Sequence, residues 1–264
     1  MTNITENDVQ DILNEYNNPT NESTIFNPVL TNDSQNRFQG ASWFETAKNN
    51  EIILAGLGGI GSWTALLLSR LNPKSIYLYD DDKVEETNMS GQFYSDTVFG
   101  TTKIEATYHN LAHFSKYFAM CYNRKYDENS IKTPVMICGF DNMKARKVFF
   151  NNWFMNICDK DNNASKCLFI DGRLNAEEFQ IFCFTGDNMK AIKKYQEEYL
   201  FDDDEVENSI CSYKQTSFCA SMIASFITNL YINFCDNKKD GFRPLPFLTY
   251  YNAYNLKLDF NYVE

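Results

Sequence analysis

Glu51-Ile52-Ile53-Leu54-Ala55-Gly56-Leu57-Gly58-Gly59-Ile60-Gly61-Ser62 decides the fold. Glu51 to Ala55 is a short apolar strand, and it runs directly into a glycine turn. A helix follows from about Gly59 to Leu71, with Trp63, Leu66, Leu67 and Arg70 at helical spacing. Pro73 leads into a second strand, Lys74 to Tyr79, which ends in Asp80-Asp81-Asp82. Strand, glycine turn, helix, strand and acid make a βαβ unit of about thirty residues. Gly56, Gly58 and Gly61 form a G-x-G-x-x-G at the junction of strand and helix. Glycines there let the backbone approach a pyrophosphate, and the helix start supplies amide donors and the positive end of a dipole. The turn therefore points to a nucleotide phosphate. The plainer alternative is a tight turn needed only for packing.

Asp80 stands at the end of the second strand, where a carboxylate can accept hydrogen bonds from a ribose. Alone it would suggest a dinucleotide. Asp82 points the same way on an extended chain. A second carboxylate suits a nucleotide carrying magnesium better than NAD. The alternative is a solvated acidic turn.

The alternation continues outward. Helix is expected from about Thr101 to Tyr117, then strand to Tyr122, strand again over Val135 to Cys138, and helix from the Asp141-Asn142 cap to Cys158. Strands follow at Leu168 to Asp171 and Glu178 to Thr185, then helix over 188–200 and the acidic run Asp202-Asp203-Asp204-Glu205. A long helix covers about Gln215 to Cys235, and the Tyr-rich tail from Leu245 to Tyr262 reads as one or two late strands. Upstream, Val9, Ile12, Leu13 and Tyr16 share one face of a short helix, and residues 17–36 read as a flexible arm. The fold class is α/β and Rossmann-like: a mainly parallel central sheet with helices on both faces and room for a late antiparallel extension.

Composition excludes several classes. With 264 residues, 44% hydrophobic and 22% charged, the chain is ordinary globular material. A net charge of −11 repels a phosphate backbone and an anionic membrane surface, so neither nucleic acid nor membrane is an expected partner. The apolar stretch Cys219 to Phe234 is interrupted by Ser221, Ser225, Thr228, Asn229 and Asn233 and reads as a buried helix. The first residues have neither a basic region nor an apolar run, so the expected location is the cytoplasm, with the eight cysteines reduced. None of them is at C-x-x-C spacing. His109 and His113 lie one turn apart on a helix and, with no third ligand nearby, read as ordinary helix residues.

Read together, these motifs resemble the ThiF/MoeB/HesA superfamily, which includes the adenylation domains of ubiquitin-activating enzymes. Its members carry G-x-G-G-x-G, matched here by Gly56, Gly58, Gly59 and Gly61. Asp80 and Asp82 match its D-x-D. Asn88-Met89-Ser90-Gly91-Gln92 matches its N-x-x-R-Q at Asn88 and Gln92, with Gly91 where arginine is expected. Gly100-Thr101-Thr102-Lys103 matches G-x-x-K, and Asp141-Asn142 matches the D-N that opens a later helix. The resemblance covers about residues 37 to 235. It implies one adenylation domain over 37–264, preceded by the helix and arm of 1–36. It also implies ATP and magnesium, with Asp80 at the ribose, Lys103 and Asn88 at the phosphates, and Asp141 on the metal.

Further roles come from the same resemblance. Arg37 in Asn36-Arg37-Phe38 matches an arginine that reaches the ATP of a partner subunit, which implies a homodimer. Ser209-Ile210-Cys211-Ser212-Tyr213-Lys214 is similar to the P-x-C-T-x-K around a thioester-forming cysteine, with Ser209 in place of proline. Arg173 matches a position at the floor of the site. The alternatives are a surface arginine, one unremarkable thiol among eight, a solvated lysine at 103 and an ordinary helix cap at Asp141.

The resulting expectation is a homodimeric adenylyltransferase that activates the C-terminal carboxylate of a small ubiquitin-like or sulfur-carrier protein with Mg-ATP. A non-catalytic relative that binds nucleotide or a protein partner is the alternative, favoured by Gly91. An NAD-dependent oxidoreductase stands third, because a hydride-transfer site requires none of Asp82, Asn88, Lys103 or Asp141.

Overall fold

The computed structural model describes residues 37–158, 163–201, 216–236 and 243–263. The helix expected over 7–17, the arm up to 36 and the acidic run 202–205 lie outside the described residues. In chain order the elements are α1 (Phe44–Lys48), β1 (Glu51–Ala55), α2 (Gly59–Leu71), β2 (Ser75–Asp80), α3 (Lys103–Ser115), β3 (Met120–Asn123), β4 (Val135–Cys138), α4 (Met143–Ile157), β5 (Leu168–Asn175), β6 (Glu178–Thr185), α5 (Met189–Glu198), α6 (Ser217–Asp236), β7 (Leu248–Asn252) and β8 (Lys257–Asn261).

Ile52 to Ala55 and Val135 to Cys138 are wholly buried. Unbroken apolar runs without alternation are what central parallel strands require, since helices cover both of their faces. β1 and β4 accordingly pair in parallel at the middle of one sheet, ordered β3-β2-β1-β4-β5-β6-β7-β8. β3, β2, β1, β4 and β5 are parallel neighbours. β6, β7 and β8 add antiparallel strands, and the alternating tail supplies two of them.

Helices lie on both faces. Ile60, Ala65 and Leu68 of α2, Ile104 and Leu111 of α3, and Ile223 and Ile227 of α6 form one core layer. Phe149, Phe150 and Trp153 of α4 with Ile192 and Tyr195 of α5 form the other. By length and composition α6 could cross a membrane, yet Cys219, Ile223, Ile227 and Tyr231 are buried in the first layer.

Helix starts follow their caps. Thr102 and Glu105 form a reciprocal capping box, so α3 begins at Lys103. At α4 the cap is Asn142, whose side chain accepts the Ala145 amide at 2.8 Å. The cap expected of Asp141-Asn142 is therefore made by Asn142, and Asp141 stays exposed beside it. α2 ends at Asn72 in the left-handed region (φ 53°), directly before Pro73.

The chain leaves β1 for β2 and β3 on one side, then returns to β4 on the other. Its direction thus switches between β1 and β4. In open α/β sheets, ligands bind in the crevice outside the carboxyl ends of the strands at such a point.

Candidate nucleotide site

The glycine turn lies at that switch. Gly56 has φ +83°, a left-handed conformation that side chains disfavour, and its amide bonds the Tyr79 carbonyl at 2.9 Å. A Cβ on Gly61 would stand 1.8 Å from the Gly56 carbonyl oxygen, so only glycine lets α2 start this close to the strand end. Gly59 is buried as the first residue of α2. Gly58 differs from Gly56 and Gly61. The nearest atom to a Cβ there would be Gln92 Nε2, 4.0 Å away. Packing therefore leaves room at Gly58, in front of the first amides of α2, where a phosphate would sit. The Gln92 side chain borders this space, and its buried Oε1 has no hydrogen-bond partner among the described residues. An open cradle at a helix start beside an unpaired acceptor fits a nucleotide.

Asp80 shapes the turn. Its Oδ2 accepts the Leu57 amide at 2.7 Å and its Oδ1 the Asp82 amide at 2.8 Å. Burial pushes its carboxyl above the usual range, while the Leu57 amide, Lys103 and the Asp82 amide pull it back. Both Asp80 oxygens thus hold backbone, and Asp82 is the more exposed carboxylate of the pair. Asp82 Oδ2 meets Lys103 Nζ at 2.8 Å, and the Lys103 amide bonds the Asp82 carbonyl at 2.9 Å. Lys103 is buried as the first residue of α3, which leaves its ammonium at the crevice edge beside Asp82.

The loop from 83 to 102 is fastened to α2 and to the glycine turn before it. Trp63 Nε1 donates to the Gly91 carbonyl at 3.1 Å, Ser62 Oγ accepts the Phe93 amide at 2.9 Å, and the Tyr94 hydroxyl donates to the Leu57 carbonyl at 2.7 Å. Asn88 turns inward on its own short 3₁₀ turn, its Oδ1 accepting the Glu85 amide at 3.0 Å. These fastenings bring Gln92 to the turn.

Asp141 stands across the switch, after β4, with Oδ1 accepting from Asn142 Nδ2 at 3.1 Å. Gly139 precedes it, and a Cβ at Gly139 would stand 2.9 Å from Ile60 Cβ, so this second glycine lets the β4 end approach α2. Among the described residues no three His, Cys, Asp or Glu surround a metal-sized space. One exposed carboxylate suits magnesium, which is commonly held by one or two carboxylates, waters and substrate phosphates.

The structure thus brings the glycines, Asp80, Asp82, Gln92 and Lys103 together on one side of the crevice, with Asp141 opposite. Arg37 is exposed in the turn before α1. Cys211 lies outside the described residues; the seven described cysteines are free thiols. His109 and His113 are exposed on α3, against Tyr108 and Phe114.

Sequence reasoning named Arg173 at the floor of the site but missed the buried polar cluster to which it belongs. Asp171, 0% exposed in β5, meets Arg146 of α4 and Arg173 of its own strand. Arg146 also donates to the Gly172 and Phe140 carbonyls. Tyr195 of α5 donates its hydroxyl to Asp171 Oδ2 at 2.8 Å, and Arg173 donates to the Tyr199 carbonyl at 2.9 Å. Burial raises the Tyr195 phenol and lowers the Arg146 guanidinium from their ordinary values. An acid within the apolar strand Leu168-Phe169-Ile170-Asp171 was the available signal, because a buried carboxylate needs a partner.

Comparison with known proteins agrees with this architecture. The model of the ThiF family matches residues 33–262. A ubiquitin-like modifier-activating enzyme 5 of Caenorhabditis briggsae is 36% identical over 70 residues, 26% of this chain and 16% of the relative. The rat enzyme of that name is 33% identical over 85 residues, 32% of this chain and 21% of the relative. The matched stretches therefore span a small part of those proteins. Among solved structures, E. coli MccB with MccA-N7isoASN superposes with a TM-score of 0.64 at 16% identity, covering 97% of this chain and 79% of MccB. E. coli TcdA, a tRNA N6-threonylcarbamoyladenosine dehydratase, superposes at 0.56 with 14% identity, covering 78% of this chain and 94% of TcdA. These likenesses are of fold. With the family model spanning nearly the whole described chain, and the glycine turn, Asp80, Lys103 and Asp141 set around one crevice, the chain belongs to the ThiF family.

Proposed function

We propose that this protein is an ATP-dependent adenylyltransferase that activates the C-terminal carboxylate of a small ubiquitin-like or sulfur-carrier protein. The observation that carries this reading is the opposition of the Gly58 cradle and Lys103 to Asp141 across the β1–β4 switch. The matched relatives named as ubiquitin-like modifier-activating enzymes, and the solved complex of MccB with AMPCPP and MccA, support it.

In the reaction a carboxylate oxygen bonds to the α-phosphorus of ATP, and the bond from that phosphorus to the pyrophosphate oxygen breaks. Pyrophosphate leaves with the electron pair, and an acyl-adenylate remains. The α2 amides at Gly58 receive phosphate oxygens, and the Lys103 ammonium faces the negative charge that grows on the departing group. Gln92 Oε1 is an acceptor suited to a hydroxyl or amino donor of the nucleotide. Asp80 holds the turn in shape. Asp141 would hold magnesium, which when bound neutralises phosphate charge. Arg37 acts across a homodimer in this reading, Cys211 could take the acyl group as a thioester, and the setting is the cytoplasm.

Exchange of labelled pyrophosphate into ATP, stimulated by a carrier protein, tests the proposal. Asp141→Ala should abolish exchange and leave the circular-dichroism spectrum unchanged. Unchanged exchange in that variant overturns the assignment of Asp141. Titration with ATP and NAD, with and without magnesium, separates nucleotide classes. Gly91, at the place where the resemblance expects arginine, favours a second reading in which the site binds nucleotide without turnover. ATP binding with no exchange for any carrier supports that reading.

A further inference from the structure

The Asp171 cluster links the segment after β4 to the end of α5 by a chain of hydrogen bonds. One arm runs to the proposed metal residue. Asp171 Oδ1 receives Arg146, whose second terminal nitrogen donates to the Phe140 carbonyl, and Phe140 is the residue before Asp141. Arg146 also bonds the Gly172 carbonyl at 3.2 Å, so its plane is held on three sides. The other arm runs to the end of α5. Asp171 Oδ2 receives Arg173 Nε at 2.8 Å and the Tyr195 hydroxyl at 2.8 Å. Arg173 continues to the Tyr199 carbonyl, and its guanidinium stacks 4.6 Å from the Phe182 ring.

A wholly buried carboxylate between two guanidiniums is costly to assemble, and uncharged packing would serve stability at least as well. Its distinctive result is geometric. In the stretch Gly139-Phe140-Asp141, Gly139 keeps the chain close to Ile60 of α2. The Gly139 amide is anchored to the Ala55 carbonyl at 3.1 Å, which ties the turn to β1. Past that anchor, the Phe140 ring packs on Phe149 of α4 and its carbonyl receives Arg146, the hydrogen bond that holds the peptide leading into Asp141. Arg146 in turn takes its orientation from Asp171.

We infer that Asp171 is a positioning residue for Asp141. Acting through Arg146, it fixes the Asp141 carboxylate where a metal-bound nucleotide requires it. The inference rests on the function proposed above and names a residue that the motif resemblance does not assign.

The test is calorimetric binding of ATP to Asp171→Asn, with and without magnesium, beside the natural protein and Asp141→Ala. Asparagine keeps the shape and removes the charge. ATP alone should bind Asp171→Asn within about twofold of the natural protein, since none of the hydrogen bonds of Asp171 goes to the glycine turn. The gain in affinity on adding magnesium should fall to the level of Asp141→Ala. The double variant should be no worse than Asp141→Ala, because both changes act on one carboxylate. A magnesium gain like that of the natural protein overturns the inference. So does a parallel loss of binding in both conditions, which a merely structural role would produce. Should Asp171→Asn not fold, Arg146→Lys keeps the charge and loses the fork, and it is read by the same two criteria. If the natural protein itself shows no magnesium-dependent ATP binding, the proposed function fails, a result distinct from failure of the Asp171 inference.

Discussion

Lys103 Nζ lies 2.8 Å from Asp82 Oδ2, with the lysine side chain 9% exposed and the aspartate 65%. The pair sets a buried lysine stem with its ammonium against an exposed carboxylate just past the end of β2. With its aspartate exposed to water the pair is worth at most about 1 kcal/mol, so its purpose is placement more than stability. Lys103→Met should retain the thermal midpoint within a few degrees and lower pyrophosphate exchange by about 100-fold, the scale of losing one charge-stabilising donor. Differential scanning calorimetry and the exchange assay check the two halves. An unchanged exchange rate would remove Lys103 from the site.

Gly61 and Gly58 should answer the same substitution in opposite ways. Alanine at 61 drives a Cβ into the Gly56 carbonyl, 1.8 Å away. The turn must open, at a cost of about 3 kcal/mol, the upper end of ordinary overpacking. Alanine at 58 meets nothing nearer than 4.0 Å and should keep stability within about 1 kcal/mol. It should weaken ATP binding, because the methyl group enters the phosphate cradle. Denaturant unfolding beside ATP titration of both variants distinguishes the roles. A Gly58→Ala protein that binds ATP normally would show that the cradle lies elsewhere.

Asp80 gives a pH dependence of defined sign. Burial raises its carboxyl above the ordinary 3.8, so the folded protein holds this proton more tightly than the unfolded chain does. The group's contribution is fully present below pH 3.8 and is lost as pH rises through the raised folded value. Asp80→Asn, neutral throughout and still able to accept the Leu57 amide, should flatten that part of the stability curve. Urea unfolding of both proteins from pH 3.5 upward measures it. Parallel curves would mean that Asp80 does not titrate differently in the two states.

Gly91 is backbone-compatible with a side chain, since its φ of −134° is ordinary for any residue. Its carbonyl is held by Trp63, so a substitution there inherits a fixed origin. Gly91→Arg should bring a cation toward the phosphates and raise exchange by about tenfold or more, below the ~10³ ascribed to the best-placed arginines. Steady-state exchange at saturating ATP is the measurement. No gain would show that turnover does not lack a cation at this position.

The glycine turn and the strand and helix ends around it were legible because they are local. Hydropathy and turn patterns marked Gly56 to Gly61, Asp80 and Asp82, while Lys103 and Asp141 were singled out by resemblance to family motifs. The late strands were legible from alternation, whereas the capping box of Thr102 and Glu105 that starts α3 at Lys103 was seen only in the structure. What was not legible was direction. Nothing in Asp80-Asp81-Asp82 says that the first carboxylate turns back to the Leu57 amide while the third meets a lysine 21 residues away. Asn88 was expected at a phosphate, yet its Oδ1 caps its own turn at Glu85.

The sequence by itself determined the order of strands and helices, the glycine turn that opens α2 and the acidic corner after β2, because periodicity, caps and turn sterics act over a few residues. Only the tertiary structure decided which buried charges meet. Arg146, Asp171, Arg173 and Tyr195 come from α4, β5 and α5, and they converge because β4 and β5 pair in parallel and bring their carboxyl ends together. Coulomb attraction and hydrogen bonding depend on distance in space, which the spacing of residues along the chain does not record.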